Sequence, residues 1–273
     1  MCGRYILVDT IEVIKKEFNV SFDGLFEPNY NISVGKQSLV ITNEKPHELQ
    51  LYQFGLTPFW AKKQMYLFNA RTEGDHNKEN DPKYHGGPGI LIKPAFRKPI
   101  RSQRCLVIAS AFIEGTTKEG LNKPYLVYLQ KRPFAFAGIW DTWKDTETEE
   151  TVNSFAIITT TANKLLQKIP HHRMPVILAE NNYRKWLHTD TDLGSITSLL
   201  GHYPAEKMNA YPITPDVKSP KNNYKELLNP LGGRLQPEFE ANVVRRLEKS
   251  GYGHRKSRNP EEEKGTMGDW NKS

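Results

Sequence analysis

Short apolar stretches without helical spacing, separated by polar segments, run through most of the chain, and this pattern is typical of a β-rich protein. Strands are predicted at residues 5–8, 38–42, 48–54, 105–113, 125–130, 134–140, 154–161 and 175–179. The second and third of these are expected to pair with each other. Lys131, Arg132 and Pro133 separate the fifth from the sixth, so these two strands are predicted to form a hairpin.

Helical spacing is confined to short segments. Ile11, Ile14 and Phe18 share one helical face, and Asp9 followed three residues later by Glu12 resembles a capping box, which predicts a helix up to about residue 19. Two brief helices are expected near residues 180–188 and 193–201. The predicted fold class is therefore α+β, mainly β, with a single compact domain and a few short helices.

Two segments lack this patterning. Residues 74–89 are polar and rich in Gly and Pro, which predicts a long loop. Towards the end of the chain the charge density rises and large apolar residues become rare, which is typical of disorder. We therefore predict a domain over residues 2–230 and a charged, disordered tail over residues 231–273, whose basic half either contacts nucleic acid or is simply solvated.

Composition narrows the class of protein. The formal net charge is +7 over 273 residues, which favours a polyanionic partner, although a soluble basic surface has the same composition. The only cysteines, Cys2 and Cys105, differ in context and so indicate a reducing compartment. No apolar run reaches membrane-span length and no signal peptide is recognisable. We expect a monomer without membrane contact in the cytoplasm or nucleoid, or in a eukaryotic nucleus, and not a secreted protein.

Cys2 is the most unusual candidate for chemistry. Removal of Met1 would place its α-amine and its thiol two carbons apart on one residue. Such a 1,2-aminothiol condenses with aldehydes, because the amine forms a Schiff base and the thiol then closes a thiazolidine ring. The plain alternative is a small residue tolerated near a terminus. Cys105, at the start of an apolar run, is expected to be a buried core thiol.

Polar residues that end apolar stretches are further candidates. Asn69 and Arg71 lie two residues apart in an extended segment and can face one side, with Arg71 suited to phosphate. Glu114 ends an apolar strand, where burial would raise its pKa towards neutrality; a solvated strand end is the alternative. Trp60 follows Phe59 and precedes two lysines, which suits base stacking, although a core Trp is equally common.

The stretch "IPHHRMPVIL" places His171, His172 and Arg173 in a polar turn that enters a strand. A His there can transfer protons near pH 7, and Arg173 can pair with phosphate. A zinc site is not expected, because the two histidines are adjacent and no further ligand recurs at suitable spacing. No metal or cofactor is predicted.

Several stretches together resemble one known family, the SOS-response-associated peptidase (SRAP) family. They are "MCGRY", "FGLTPFW", "NARTE", "PAFR", "RCLVIASAFIEG", "AGIWDTW", "FAIITTTAN" and "HHRMPVIL", in the family's order over about residues 2 to 215. The resemblance implies a β-rich SRAP domain. It also implies a DNA-damage protein in which Cys2 forms a thiazolidine crosslink with abasic sites in single-stranded DNA, at single-strand to double-strand junctions among other places.

The resemblance also implies residue roles. Asn69 would hold the reacting amine, Glu114 would move protons and assist release of Met1, and His171 rather than His172 would assist sugar ring opening. The DNA contacts that the resemblance implies are Arg4, Arg71, Arg173 and Trp60. The sequence departs from the family pattern at several positions, including Gly115, where the family commonly has a Trp, and Lys218, where Asn is usual.

Two further functions stay open from the residues alone. An N-terminal-nucleophile thiol peptidase or amidase would use the Cys2 thiolate against an acyl group. A non-covalent single-stranded DNA-binding protein would use the arginines and Trp60 alone.

Overall fold

Two β-sheets form the protein in the computed structural model, which describes residues 2–84 and 86–237. The strands are β1 Arg4–Leu7, β2 Asn29–Ser33, β3 Gln37–Thr42, β4 Gln50–Phe54, β5 Asn69–Arg71, β6 Arg104–Ala109, β7 Ala111–Thr116, β8 Gly120–Leu129, β9 Phe134–Lys144, β10 Thr151–Thr161, β11 Arg173–Pro175, β12 Ile177–Leu178 and β13 Met208–Pro212. The α-helices are α1 Ile11–Phe18, α2 Pro99–Ser102, α3 Lys164–Lys168, α4 Tyr183–Leu187 and α5 Leu193–Thr197. Helical 3-10 turns cover Gly89–Leu91, Glu180–Asn182, Ala205–Lys207, Pro215–Lys218 and Lys225–Leu228.

The first sheet has the strand order β13-β8-β7-β1-β2. In β1, Tyr5 and Leu7 belong to the main core, whereas Ile6 belongs to a second, smaller core on the other face of the sheet. This division follows from the strand period of two, which sends successive side chains to opposite faces. Both faces of β1 are therefore apolar, and the strand directly after Cys2 is fixed on both sides.

The second sheet closes on itself. β10 pairs with β4, β4 with β3, β3 with β6, β6 with β9, and β9 again with β10. β5 runs parallel to β10, and β11 runs antiparallel to it. The short strands β5 and β11 are thus both attached to β10 of the closed ring. β5 carries Asn69 and Arg71, and β11 carries Arg173.

The mainly β fold with a few short helices agrees with the sequence prediction, as does the antiparallel pairing of β3 with β4. The predicted hairpin of residues 125–130 and 134–140 is wrong, because β8 pairs with β7 and β13 whereas β9 pairs with strands of the other sheet. The residues between them carry the chain from one sheet to the other.

Two local predictions also need correction. The apolar run 105–113 is two strands, because the chain changes sheets at Ser110, whose hydroxyl accepts the Val8 N–H at 2.9 Å. The first helix is capped by Thr10, whose hydroxyl accepts the Val13 N–H at 3.5 Å, instead of by Asp9. Asp9 is instead the acceptor of the Ser110 hydroxyl at 2.5 Å.

The last described residues pack along the first sheet. Leu231 N–H donates to Pro212 O at 2.8 Å, and Leu235 N–H donates to Ala210 O at 2.9 Å. The attached chain thus reaches Gln236, six residues beyond the predicted domain end, and residues 238–273 of the predicted tail lie outside the described residues. Within the described residues, no helix combines the length and apolarity needed to cross a bilayer.

Candidate active site

Cys2 lies inside the protein, immediately before β1. Its side chain has no exposed surface, and its thiol donates to Arg4 O at 3.9 Å. β1 is held between β2 and β7, so the backbone that leads into Cys2 is pinned from both sides. A residue near the start of the chain is thereby given a fixed position.

Asn69 binds the backbone of Cys2. Its Nδ2 donates to Cys2 O at 3.0 Å and to Phe68 O at 3.0 Å. Asn69 begins β5, which is aligned with Ile157 of the long strand β10. The Oδ1 of Asn69 is buried and has no hydrogen-bond partner among the described residues, so it can accept from a ligand.

Glu114 lies in β7, two residues after Phe112, whose side chain packs in the main core. Because side chains two residues apart in a strand lie on the same face, Glu114 faces the main core too. The side chain is 2% exposed. Burial disfavours the carboxylate and raises the pKa of Glu114 to about 7. Glu114 can therefore both donate and accept a proton near neutral pH.

His171 contacts Glu114 directly, with Nε2 3.3 Å from the carboxylate Oε2. Burial lowers the pKa of His171 to about 4, so the imidazole is neutral at pH 7. Pro170 O accepts hydrogen bonds from the N–H and the hydroxyl of Thr117, which tie this turn to the end of β7. His172 is exposed, so of the two histidines only His171 meets the carboxylate.

The electrostatics around Cys2 keep its thiol protonated. Burial raises the pKa of Cys2 well above the ordinary value, and the nearby charge of Glu114 raises it further. A step that needs sulfur as a nucleophile would therefore need a proton acceptor beside it. Glu114 is positioned for that transfer.

A cleft of about 380 Å³ opens beside these groups. Its lining residues are Gly3, Arg4, Arg71, Asn80, Ile113, Glu114, Gly115, Thr116, Thr117, Gly120, Leu121, His171, His172 and Arg173. Arg4 is held by backbone carbonyls, with Nε 3.4 Å from Val217 O and Nη2 3.3 Å from Lys218 O. Arg71 donates to Asn77 O, and its buried Nε has no partner among the described residues.

Arg173 lines the same cleft but is bound by another side chain. Its Nη1 and Nη2 donate to the two oxygens of Glu73 at 2.9 and 3.0 Å, and Nη2 also donates to Thr159 O at 2.9 Å. Both partners are at most 5% exposed. Arg173 is expected from the sequence to bind phosphate, but both of its terminal nitrogens already donate to Glu73.

Trp60 lies outside this cleft, in a second groove of about 470 Å³ lined by Phe59, Trp60, Pro94, Arg97 and Lys98. The Trp60 side chain is 50% exposed, so it is not a core residue. Lys98 Nζ lies 4.3 Å from the centre of the Phe59 ring. The groove therefore combines exposed aromatic faces with basic side chains.

Sequence reasoning did not single out Glu73 or Asn80. Glu73 stands two residues after Arg71 in the quoted stretch "NARTE", but its partner Arg173 is one hundred residues away along the chain. The available signal was the carboxylate of Glu73 two residues after Arg71, which was expected to bind phosphate. Asn80 belongs to the polar loop and carries no motif.

The abasic site processing protein YoqW of Bacillus subtilis (strain 168) is 35% identical over 238 residues, which cover 84% of this chain and 99% of YoqW. The abasic site processing protein HMCES of Pongo abelii is 28% identical over 224 residues, which cover 69% of this chain and 58% of HMCES. A crystal structure of a protein from Bacteroides thetaiotaomicron superposes with a TM-score of 0.70 at 29% identity, covering 83% of this chain and 98% of that one.

The model of the SOS response associated peptidase (SRAP) family matches residues 1–85 and 87–220. The match spans most of the chain. The abasic site processing protein YoaM of Bacillus subtilis (strain 168) is 34% identical over 239 residues and, like YoqW, aligns with 84% of this chain. The chain belongs to the SRAP family.

Proposed function

We propose that this protein processes abasic sites in DNA, and that it does so by attaching Cys2 covalently to the sugar aldehyde of an abasic site in single-stranded DNA. The observation that carries the proposal is the convergence of Cys2, Asn69, Glu114 and His171 beside a cleft that arginines line. The names of the relatives YoqW and HMCES support the same substrate class.

The chemistry begins with hydrolysis of the Met1–Cys2 peptide bond, which consumes one water and exposes the α-amine of Cys2. Glu114 is the proposed group that activates this water, because its pKa of about 7 allows it to accept a proton. Met1 itself lies outside the described residues. We expect Glu114→Gln to retain Met1, which intact-mass measurement would detect, whereas release of Met1 from that variant would assign the step to a separate enzyme.

The amine then adds to the C1′ aldehyde of the ring-opened sugar to give a carbinolamine. Protonation of its hydroxyl by Glu114 releases one water and leaves an iminium ion beside the Glu114 carboxylate. The Cys2 sulfur then adds to the iminium carbon while the thiol proton passes to that carboxylate, and the C=N π electrons become the lone pair of the ring nitrogen. The product is a thiazolidine, and reversal requires one water.

The neighbouring residues have defined parts in this scheme. Asn69 orients residue 2 through its carbonyl and offers Oδ1 to the reacting amine. Neutral His171 exchanges a proton with Glu114 or with the sugar hydroxyl during ring opening. Arg4 and Arg71 contact the phosphates that flank the lesion.

Trp60 and Phe59 form the proposed stacking surface at the boundary between single-stranded and double-stranded DNA. Their exposed rings lie in a groove with Arg97 and Lys98, which can contact phosphate. The proposed partner is therefore DNA with an abasic site near such a boundary, bound by a single copy of the protein.

The alternative of a thiol peptidase is less well supported. Burial raises the pKa of the Cys2 thiol, so either reaction needs Glu114 to take the thiol proton. The arginines of the cleft favour DNA as the substrate, because they have no part in peptide cleavage.

The test uses an abasic single-stranded oligonucleotide and protein whose loss of Met1 has been verified by mass. We expect the wild type to form an adduct that survives denaturation and whose mass equals the sum of both partners minus one water. Cys2→Ala retains an α-amine and is expected to give only an imine, visible after borohydride reduction. Cys2→Ser is expected to form no comparably durable ring.

Absence of an adduct with Met1-free wild type would overturn the covalent function. A Cys2→Ala adduct that survives without borohydride would overturn the thiazolidine. Salt-sensitive binding without any adduct would instead favour the non-covalent alternative.

A further inference from the structure

Glu73 and Arg173 form a buried, two-bonded ion pair in the wall of the cleft. The two Nη–O distances are 2.9 and 3.0 Å, and the side chains are 5% and 4% exposed. Thr159 adds its carbonyl and hydroxyl oxygens as acceptors for Nη2 at 2.9 and 3.1 Å. The terminal nitrogens of Arg173 are thus directed into the protein.

The Nε of Arg173 has a different environment. It is buried, and among the described residues it has no hydrogen-bond partner. Arg173 lines the cleft together with Arg71, whose Nε is also buried and has no hydrogen-bond partner among the described residues. Each arginine therefore has an unpaired N–H at Nε. The two terminal nitrogens of Arg173 are held by the protein, whereas Arg71 is held through Nη2 by Asn77 O.

Charge distinguishes these two arginines. Arg71 is bound by the neutral carbonyl of Asn77, so its positive charge stays uncompensated by that contact. Arg173 is bound by a carboxylate at direct contact, where the two unit charges cancel as seen by a third group in the cleft. A free Arg fork binds phosphate with two charge-assisted hydrogen bonds, whereas Arg173 can offer one bond from a neutralised pair.

We propose that Glu73 is a positioning residue that weakens the grip of the cleft on DNA phosphate, because it occupies the fork of Arg173 and cancels its charge. The inference rests on the proposed function, since it takes the cleft to be the place where DNA lies. Arg173 then orients the backbone through Nε without adding a full ion pair. The protein can consequently scan undamaged single strands without being retained on them.

The test measures non-covalent binding to an oligonucleotide without an abasic site, so that its result does not depend on adduct formation. Glu73→Gln keeps an oxygen acceptor for Arg173 and removes the carboxylate charge. We expect this variant to bind about tenfold more tightly at low salt, with a log-affinity against log-salt slope steeper by about 0.7, the contribution of one phosphate contact on a single strand. Adduct formation on abasic DNA is measured separately.

Glu79→Gln is the matched control, because Glu79 is an exposed carboxylate six residues further along the same loop. It changes the net charge by the same amount and is expected to leave the slope unchanged. Equal slopes for both variants, or weaker binding by Glu73→Gln at the wild-type slope, would overturn the proposal.

A second variant covers the case in which Glu73→Gln fails to fold, as judged by thermal melting. The double variant Glu73→Gln with Arg173→Gln replaces the ion pair by two neutral amides. A pair whose charges cancel contributes nothing to the slope, so we expect the wild-type slope to be retained. A slope shallower by about 0.7 would show that Arg173 acts as a full cation and would overturn the proposal.

The two proposals fail in different ways. If the wild type forms no adduct but Glu73→Gln steepens the salt dependence, the covalent function is wrong and the role of Glu73 in DNA binding stands. If the adduct forms but the salt slope is the same in wild type and Glu73→Gln, the covalent function stands and the role of Glu73 in DNA binding is wrong.

Discussion

Burial shifts the pKa values of Glu114 and His171 in opposite directions, although the two side chains are in contact. Glu114 is raised from 4.5 to about 7 and His171 is lowered from 6.5 to about 4. Between about pH 4 and about pH 7 the pair is therefore mainly a neutral carboxylic acid beside a neutral imidazole. Such a pair starts uncharged, with Glu114 able to donate a proton and His171 able to accept one.

The raised pKa of Glu114 predicts a stability effect with a definite sign. Between pH 4.5 and about 7 the folded state holds a proton on Glu114 that the unfolded state has lost, so this residue makes the free energy of unfolding fall as pH rises. His171 acts oppositely, with stability lost as pH falls from 6.5 towards about 4. We expect Glu114→Gln to gain stability relative to wild type between pH 5 and pH 8, by at most about 3 kcal/mol.

Urea denaturation at the two pH values measures this difference. The exposed Glu147→Gln is the control and is expected to show no such trend. A Glu114→Gln difference that does not change with pH would mean that the carboxylate is ionised across the range.

The two adjacent histidines allow a matched test of the proton-transfer role. We expect His171→Gln to slow adduct formation by about 100-fold, the lower range for general acid–base catalysis, because His171 is the one of the two histidines that contacts Glu114. His172→Gln alters an exposed ring in the same cleft and is expected to change the rate by less than about threefold. Single-turnover adduct formation is the measurement, and equal losses in both variants would contradict the assignment.

At the residue scale, the sequence indicates which side chains are candidates for chemistry better than it indicates which residues those side chains contact. Residue type and local pattern made Cys2, Asn69 and Glu114 candidates, and the family resemblance selected them together and chose His171 over His172. The pairing of Glu73 with Arg173 could not be predicted, because it is a contact across one hundred residues that depends on β5 and β11 flanking β10. Which residue occupies an arginine's fork is a property of the assembled sheet.

At the scale of elements, the turn between β7 and β8 shapes the cleft. The register shifts after Gly115, and Thr116 then faces Gly120, whose φ is +55°. A Cβ at Gly115 would lie 1.9 Å from Gly120 O and 2.2 Å from its carbonyl carbon. This close approach gives a physical reason for glycine at this position.

We expect Gly115→Ala to destabilise the protein by about 3 kcal/mol, because the obstructing atoms belong to the backbone and cannot swing aside. The displaced turn lines the cleft, so adduct formation should also slow. Gly87→Ala is the control, since a Cβ there meets nothing within 4 Å. Equal denaturation midpoints for the two variants would show that the turn has room to move.

The errors in the element predictions have a common cause. Residues 125–130 and 134–140 carry ordinary hairpin signals, but each strand finds its apolar neighbours in a different sheet. The run 105–113 is apolar throughout, and only the contacts of Ser110 with Val8 and Asp9 mark the place where it changes sheets. Local pattern predicts that a strand exists, whereas long-range pairing decides its partner.

At the scale of the whole molecule, residues 213–236 extend across the first sheet. Asn31 in β2 donates from Nδ2 to Val217 O at 3.1 Å, and Tyr30 N–H donates to Asn223 Oδ1 at 2.8 Å. At the far side, Gln236 Nε2 donates to Met208 O at 2.9 Å in β13. One segment therefore contacts both outermost strands.

Two shortened chains test the domain boundary. We expect a chain that ends after Asn229 to melt at least about 6 °C below a chain that ends after Pro237. It loses the hydrogen bonds from Leu231 N–H to Pro212 O, from Leu235 N–H to Ala210 O and from Gln236 Nε2 to Met208 O, at a net contribution of about 1 kcal/mol each. Thermal unfolding followed by circular dichroism is the measurement. Identical melting temperatures would place the boundary at the predicted residue 230.

The placement of this segment also bears on how the protein avoids self-association. An outer strand exposes a row of unpaired backbone groups that can recruit a strand from another molecule. Because one segment covers both β2 and β13, its release would uncover two such templates on opposite sides of one molecule. Molecules open at both sides can join end to end, so the expected failure on prolonged warming is linear polymerisation that begins below the melting temperature.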